Sequence, residues 1–181
     1  MKLHRLILFL ATAILTTTAH AQVGIYGIFD STHVSTSNSV EPTAWYEGIG
    51  AGTYYDFLHF GPVGIGADLR GNLLFGGQQK YRSALFGIRL SVKPPVIPIK
   101  PYIQGSVGVG GASQSGFHGG APTYNNKFQY EIFGGADLTV APHLDWRVAE
   151  LGYGRMTGTG SGYPPSADHL FTVDSGLVLR F

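Results

Sequence analysis

The chain has 181 residues, of which only 13% are charged, and it contains no cysteine. Soluble domains carry about 25% charged residues, so a water-solvated globule of ordinary surface fits poorly, and no disulfide can hold the chain together. A formal charge of +1 provides no strong basic field, which argues against nucleic acid as a partner.

The first residues read as an export signal. Met1 to Arg5 is short and basic, Leu6 to Leu15 is apolar, and Ala19-His20-Ala21 is a small-x-small cleavage site. The apolar run is well short of the roughly 20 residues a spanning helix needs. The expected organisation is therefore a cleaved signal peptide over 1–21 and one mature domain over 22–181. Loss of Lys2 and Arg5 lowers the 12 basic residues to 10, against 11 acids. No later stretch offers the unbroken apolar length of a membrane helix. An exported chain with little charge and no such helix points to a β-barrel.

Taken in chain order, the remainder alternates with a period of two. Strand-like segments fall at 23–34, 45–55, 62–75, 81–92, 101–112, 127–140, 145–156 and 168–181. The first contains Asp30 and the second Glu47. The third, "VGIGADLRGNLLF", sets Val63, Ile65, Ala67, Leu69 and Leu73 against Asp68, Arg70 and Asn72. The fourth carries Arg89, while the fifth is rich in glycine. In the sixth, "FQYEIFGGADLTV", Phe128, Tyr130, Ile132, Gly134, Ala136, Leu138 and Val140 oppose Gln129, Glu131, Phe133, Gly135, Asp137 and Thr139. The seventh is "DWRVAELGYGR". The eighth, "FTVDSGLVLRF", alternates to the last residue. Every segment reaches the 9–11 residues a tilted strand needs to cross a bilayer.

The connections alternate too. "STSNSVEPT", "GGQQK", "SQSGFHGGAPTYNN" and "TGTGSGYPPSA" are polar, whereas "DFLHFG", "KPPVIPIK" and "APHL" are apolar or stiffened by proline. Longer polar loops at one end and short turns at the other mark an outer-membrane barrel. The expected fold class is all-β, an eight-stranded antiparallel up-and-down transmembrane β-barrel. A soluble lipocalin-type barrel would have the opposite polarity. The polar face here, mostly Gly, Ser, Thr and Gln with isolated charges, is too poor in Lys and Glu for a water-exposed shell. Thirteen aromatic residues suggest headgroup girdles: Tyr26, Phe29, Trp45, Tyr46, Tyr54, Tyr55, Tyr81, Tyr102, Phe128, Tyr130, Trp146, Tyr153 and Phe171.

The strand rhythm, "DWRVAELGYGR" and the closing "SGLVLRF" resemble the small outer-membrane barrels of the OmpA transmembrane-domain type, grouped with the opacity-protein and OmpX-like barrels. The resemblance implies a place in the cell outer membrane, contact with its lipid and lipopolysaccharide, and engagement of the barrel-assembly machinery. It also implies a C-terminal assembly signal, carried here by Phe171, Val173, Leu177, Leu179 and Phe181. Unlike full-length OmpA, the sequence ends at the barrel, without a following peptidoglycan-binding domain.

With the apolar face outward, Asp30, Glu47, Asp68, Arg70, Arg89, Glu131, Asp137, Glu150, Asp174 and Arg180 form an expected charge network in the lumen. Charges there must pair or reach water. Arg147 and Glu150 have opposite parity, so both face inward only if a bulge falls near Val148-Ala149; otherwise Arg147 belongs near the rim. Three functions are open. One is a non-enzymatic structural or surface-interaction scaffold, with loops 113–126 and 156–167 as contacts for an extracellular ligand. Another is a narrow pore for ions or small solutes. The third is a lipid A-modifying enzyme of the PagL type, for which Ser31, His33 and Glu41 are the candidate residues, although their strand and order differ from the family site. No catalytic set, cofactor site or metal site is expected. His59, His118, His143 and His169 are scattered, and "GSVGVGGA" lacks the Lys-Ser/Thr and the helix of a phosphate loop.

Overall fold

A computed structural model describes residues 22–35, 44–77, 79–114, 123–124, 126–157 and 167–181. Eight long strands carry the fold: β1 (Gln22–Ser35), β2 (Ala44–Phe60), β3 (Val63–Gly76), β4 (Gln79–Val92), β5 (Ile99–Gln114), β6 (Lys127–Ala141), β7 (Leu144–Thr157) and β8 (Ala167–Arg180). Each pairs antiparallel with its neighbour in the chain. β1 also pairs with β8, and the cylinder is closed. The residue pair Thr123–Tyr124 adds a short ladder to Ser113–Gln114 at the end of β5.

Alternation decides what faces where. Ile25, Ile49, Leu69, Ile88, Ile103, Ile132, Leu151 and Leu177 point outward, each at least half exposed. Asp30, Asp68, Arg70, Gln104, Gln129, Glu131 and Thr172, on the opposite parity, are buried. This is the reverse of a water-soluble barrel. A continuous apolar belt of this extent has no stable place in water, and lipid tails solvate it without cost. The lipocalin alternative fails on this polarity.

Bulges adjust the register at three places, two of which bear on the site. One falls between Asp56 and Leu58, where Phe57 and Leu58 both turn outward. It lets β2 run to Phe60, so most of "DFLHFG", expected as a connection, is strand, and only Gly61-Pro62 makes the turn. Gly61 sits at φ 59°, a left-handed conformation that glycine adopts without steric penalty. The second bulge, between Arg147 and Glu150, leaves Val148 and Ala149 both exposed. "GGQQK" is also mostly strand, because β3 extends to Gly76 and β4 starts at Gln79.

The turn-end rim is tied by backbone hydrogen bonds. Lys93 N donates to the Pro62 carbonyl at 2.6 Å, and Arg180 N donates to the His143 carbonyl at 2.8 Å. Phe181 N donates to the Val23 carbonyl at 2.9 Å, which holds the last residue on the β1 edge with its ring exposed.

Candidate functional site

Among the described residues the lumen concentrates the polar chemistry, and it is built in layers. At the loop end Tyr46, Leu74, Tyr81, Met156 and Leu170 form a buried apolar plug. The rings of Tyr46 and Tyr81 lie 5.8 Å apart. Lys127 pairs with Asp168 on the flank of β6 and β8. Five tyrosines expected in the headgroup girdles, Tyr26, Tyr46, Tyr54, Tyr81 and Tyr102, are instead buried in the lumen. They share parity with the inward charges of their own strands. Trp45, Tyr55, Phe128, Tyr130, Trp146, Tyr153 and Phe171 do face outward, as does Phe29.

Three guanidinium groups organise the middle. Arg70 Nη2 lies 2.5 Å from Glu150 Oε1, its Nη1 3.1 Å from Asp174 Oδ2, and its Nε donates to the Tyr26 hydroxyl at 3.2 Å. Its flat face stacks on the Phe133 ring at 4.4 Å. Arg147 Nε reaches Asp137 Oδ1 at 3.1 Å, with Nη1 at 3.6 Å from Glu150 Oε2. Arg89 Nη2 contacts Asp137 Oδ2 at 2.6 Å and is sandwiched by Tyr54 and Tyr102, at 4.4 and 3.7 Å from the ring centroids. The Tyr102 hydroxyl donates to Glu150. Asp68 accepts from the Tyr26 hydroxyl at 3.0 Å and from Gln104 Nε2 at 2.9 Å. Planar, permanently charged arginine suits these forked and stacked contacts better than lysine.

Glycine makes the room. A Cβ on Gly135 would lie 2.7 Å from the Tyr102 hydroxyl, so a larger residue would push that ring off Arg89. The turn-end rim is also ionic. Lys93 Nζ pairs with Asp56 at 2.6 Å, and Asp145 takes both Lys100 at 3.0 Å and Arg180 at 2.7 Å.

Of the ten residues expected in the lumen, Asp30, Asp68, Arg70, Arg89, Glu131, Asp137, Glu150 and Asp174 are buried there, and Arg180 points inward at the rim. Glu47 does not join them. On β2 it is Tyr46, Gly48, Gly50, Gly52 and Tyr54 that share the inward parity, so Glu47 is exposed on the outer face. Arg147 is fully buried, because the bulge at Val148-Ala149 restores its parity with Glu150. Asp56, Lys93, Lys100, Lys127, Asp145 and Asp168 belong to the same ionic system and went unrecognised in the sequence. The inward parity of Asp145 with Arg147 was the available signal.

Of the residues considered for catalysis, Ser31 and His33 lie on the outward parity of β1. The His33 and Trp45 rings pack at a tilt of 52° with 4.9 Å between centroids, and Ser31 lies opposite Glu47 in the β1–β2 register. Glu41 and His118 lie outside the described residues. Among the described residues, no group of three or more His, Cys, Asp or Glu is placed to hold a metal ion. "GSVGVGGA" is part of β5.

The layered ion pairs generate a stability ordering. Arg70→Ala strands Asp174 in the interior, leaves Glu150 only Arg147 and the Tyr102 hydroxyl, and should cost about 3–5 kcal/mol. Arg180→Ala, at the wetter rim, should cost about 1 kcal/mol or less. Urea unfolding in phospholipid vesicles measures both, and equal small losses would contradict the arrangement.

No protein-family model matches the sequence, and no curated protein sequence matches it. Solved structures do. Neisserial surface protein A is 16% identical, with 87% of this chain and 97% of that chain covered at a TM-score of 0.54. Ail, the attachment invasion locus protein of Yersinia pestis, is 13% identical, with 89% and 99% covered at 0.56. Ail in complex with the heparin analogue sucrose octasulfate is 14% identical, with the same coverage at 0.52. At such identities the likeness is one of fold, and by fold the chain is an eight-stranded transmembrane β-barrel of the outer-membrane type.

Proposed function

We propose that the protein resides in the cell outer membrane as a non-enzymatic barrel that acts through its surface, as a structural element or an interaction scaffold. The observation that carries this reading is the filling of the lumen. Eight strands enclose little more than the volume of their own side chains. Here that space holds Arg70, Arg89 and Arg147 clamped by carboxylates, beneath the plug of Tyr46, Leu74, Tyr81, Met156 and Leu170. A conducting path would have to displace both.

Contacts would then fall to lipid, to lipopolysaccharide and to extracellular ligands of the loops. The loop segments proposed for this, 113–126 and 156–167, lie mostly outside the described residues. Ail was crystallised with a heparin analogue, which makes sulfated glycans a ligand class to try. The outward alternation of Phe171, Val173, Leu177, Leu179 and Phe181, with inward residues between, supports the assembly-signal reading. Under that reading a chain lacking Phe181 should show a several-fold lower membrane-inserted yield in cells. Unchanged yield would refute it.

Planar-bilayer recording of the refolded chain tests the scaffold reading. The expected result is no discrete conductance steps. Steps that change in amplitude in Arg89→Ala would favour the narrow-pore reading instead. Altered lipid A mass in cells expressing the protein, abolished by Ser31→Ala, would favour the enzyme.

A further inference from the structure

Between the apolar plug and the Arg70 layer, four oxygen-bearing side chains form a line across the lumen. Asp30 Oδ1 accepts from the Thr32 hydroxyl at 2.7 Å. Thr32 Oγ1 and Thr172 Oγ1 are 3.1 Å apart, with either able to donate. Thr172 Oγ1 is 3.3 Å from Glu131 Oε2. Thr32 and Thr172 are direct partners in the β1–β8 register. Gly152 and Gly154 of the intervening β7 stand opposite Thr172 and Glu131, and the space they leave lets Glu131 reach over from β6. All four side chains are buried.

The hydrogens in this line can be counted. Three oxygen–oxygen contacts need three hydrogens. Two threonine hydroxyls supply two, and an ionised carboxylate supplies none. With both acids ionised, one contact would set lone pair against lone pair. The charges agree with the count. The nearest guanidinium, Arg70, is bonded to Glu150 and Asp174. Among the described residues neither Asp30 nor Glu131 has an ion-pair partner, and apart from the facing Asn72 amide nothing offers Asp30 Oδ2 a donor.

We propose that Asp30, Thr32, Thr172 and Glu131 form a proton-binding wire that holds one proton and passes it between the two carboxyls. With the proton on Glu131, Oε2–H donates to Thr172, Thr172 donates to Thr32, and Thr32 donates to Asp30. In the mirror state the Asp30 acid proton donates to Thr32, Thr32 to Thr172, and Thr172 to Glu131. Conversion between the states breaks three O–H bonds and forms three. One negative charge moves from Asp30 to Glu131, with no change of redox state.

Several groups face the wire and set its balance. Asp174 of β8 lies directly opposite Asp30 in register, and Glu150 of β7 opposite Asp174. From β3, Arg70 and Asn72 face Asp30. On the Glu131 side, Gln129 Nε2 donates to Glu131, and the Tyr81 hydroxyl of β4 donates to Gln129 Oε1 at 2.7 Å. Arg70 also faces Glu131. Two carboxyls sharing one proton titrate as a unit rather than as separate acids.

Infrared spectroscopy of the mature chain refolded in phosphatidylcholine vesicles tests this directly. At neutral pH the wild type should show a carboxylic-acid C=O stretch. Either Asp30→Asn or Glu131→Gln should abolish it, because the amide N–H supplies the third hydrogen and no acid proton is needed. Absence of the band in the wild type, or its persistence in both variants, would overturn the proposal. If neither variant folds, the ¹³C carboxyl shifts of Asp30 and Glu131 in the wild-type barrel decide. Both should lie between the acid and carboxylate values, and two fully ionised shifts would overturn the wire.

Discussion

The structure rests on the absence of water in hydrocarbon. A peptide group without a partner there costs several kcal/mol, so a sheet that spans a membrane must have no free edge. The β1–β8 ladder, from Gly24–Arg180 to Ser35–His169, removes that edge. Once the sheet is closed, every strand has one face toward lipid and one toward a narrow lumen. Strict alternation of apolar and polar residues follows from closure.

Closure also dictates the composition. The lumen has too little room for eight columns of large side chains, so columns of glycine on β2 and β7 oppose columns of tyrosine, phenylalanine and arginine. Gly48, Gly50 and Gly52 line one stretch, and Gly152 and Gly154 another. The raised glycine content therefore fits a side-chain-filled interior. Low overall charge has the same origin, because the outer belt contributes almost none. Charges that remain sit inside, where low dielectric makes each pairing strong and each omission expensive. Arg70, Arg89 and Arg147 are accordingly held on several sides by carboxylates, hydroxyls and rings. The wire of Asp30, Thr32, Thr172 and Glu131 answers the same demand with shared hydrogens where no guanidinium reaches.

The fold was legible because a period of two survives in a linear sequence. "FQYEIFGGADLTV" announced which of its residues face in, and Gln129, Glu131 and Asp137 are buried as that parity required. What parity could not give was the position of its own interruptions. The bulge at Val148-Ala149 was a condition for Arg147 to enter the lumen, and the β6–β7 and β7–β8 registers show that it forms. Glu47 misled because a carboxylate suggests the polar lumen, yet its neighbour Tyr46 takes that place. The tyrosines misled in the opposite sense. An aromatic ring with a hydroxyl suits a headgroup belt, but the same hydroxyl suits a polar lumen, and Tyr26 and Tyr102 spend it on Asp68 and Glu150. Residue type is ambiguous in both cases, whereas position relative to an unambiguous charge on the same strand is not.

That hydrocarbon solvates the outer face is tested most directly by arginine placed at two depths. Ile132 is 61% exposed near the middle of β6, and Val140 is exposed near its turn end. Measured by urea unfolding from phospholipid vesicles, Ile132→Arg should destabilise the barrel by about 2–4 kcal/mol and Val140→Arg by about 1 kcal/mol or less. Negligible cost at both positions would mean that water, not lipid, surrounds the strands.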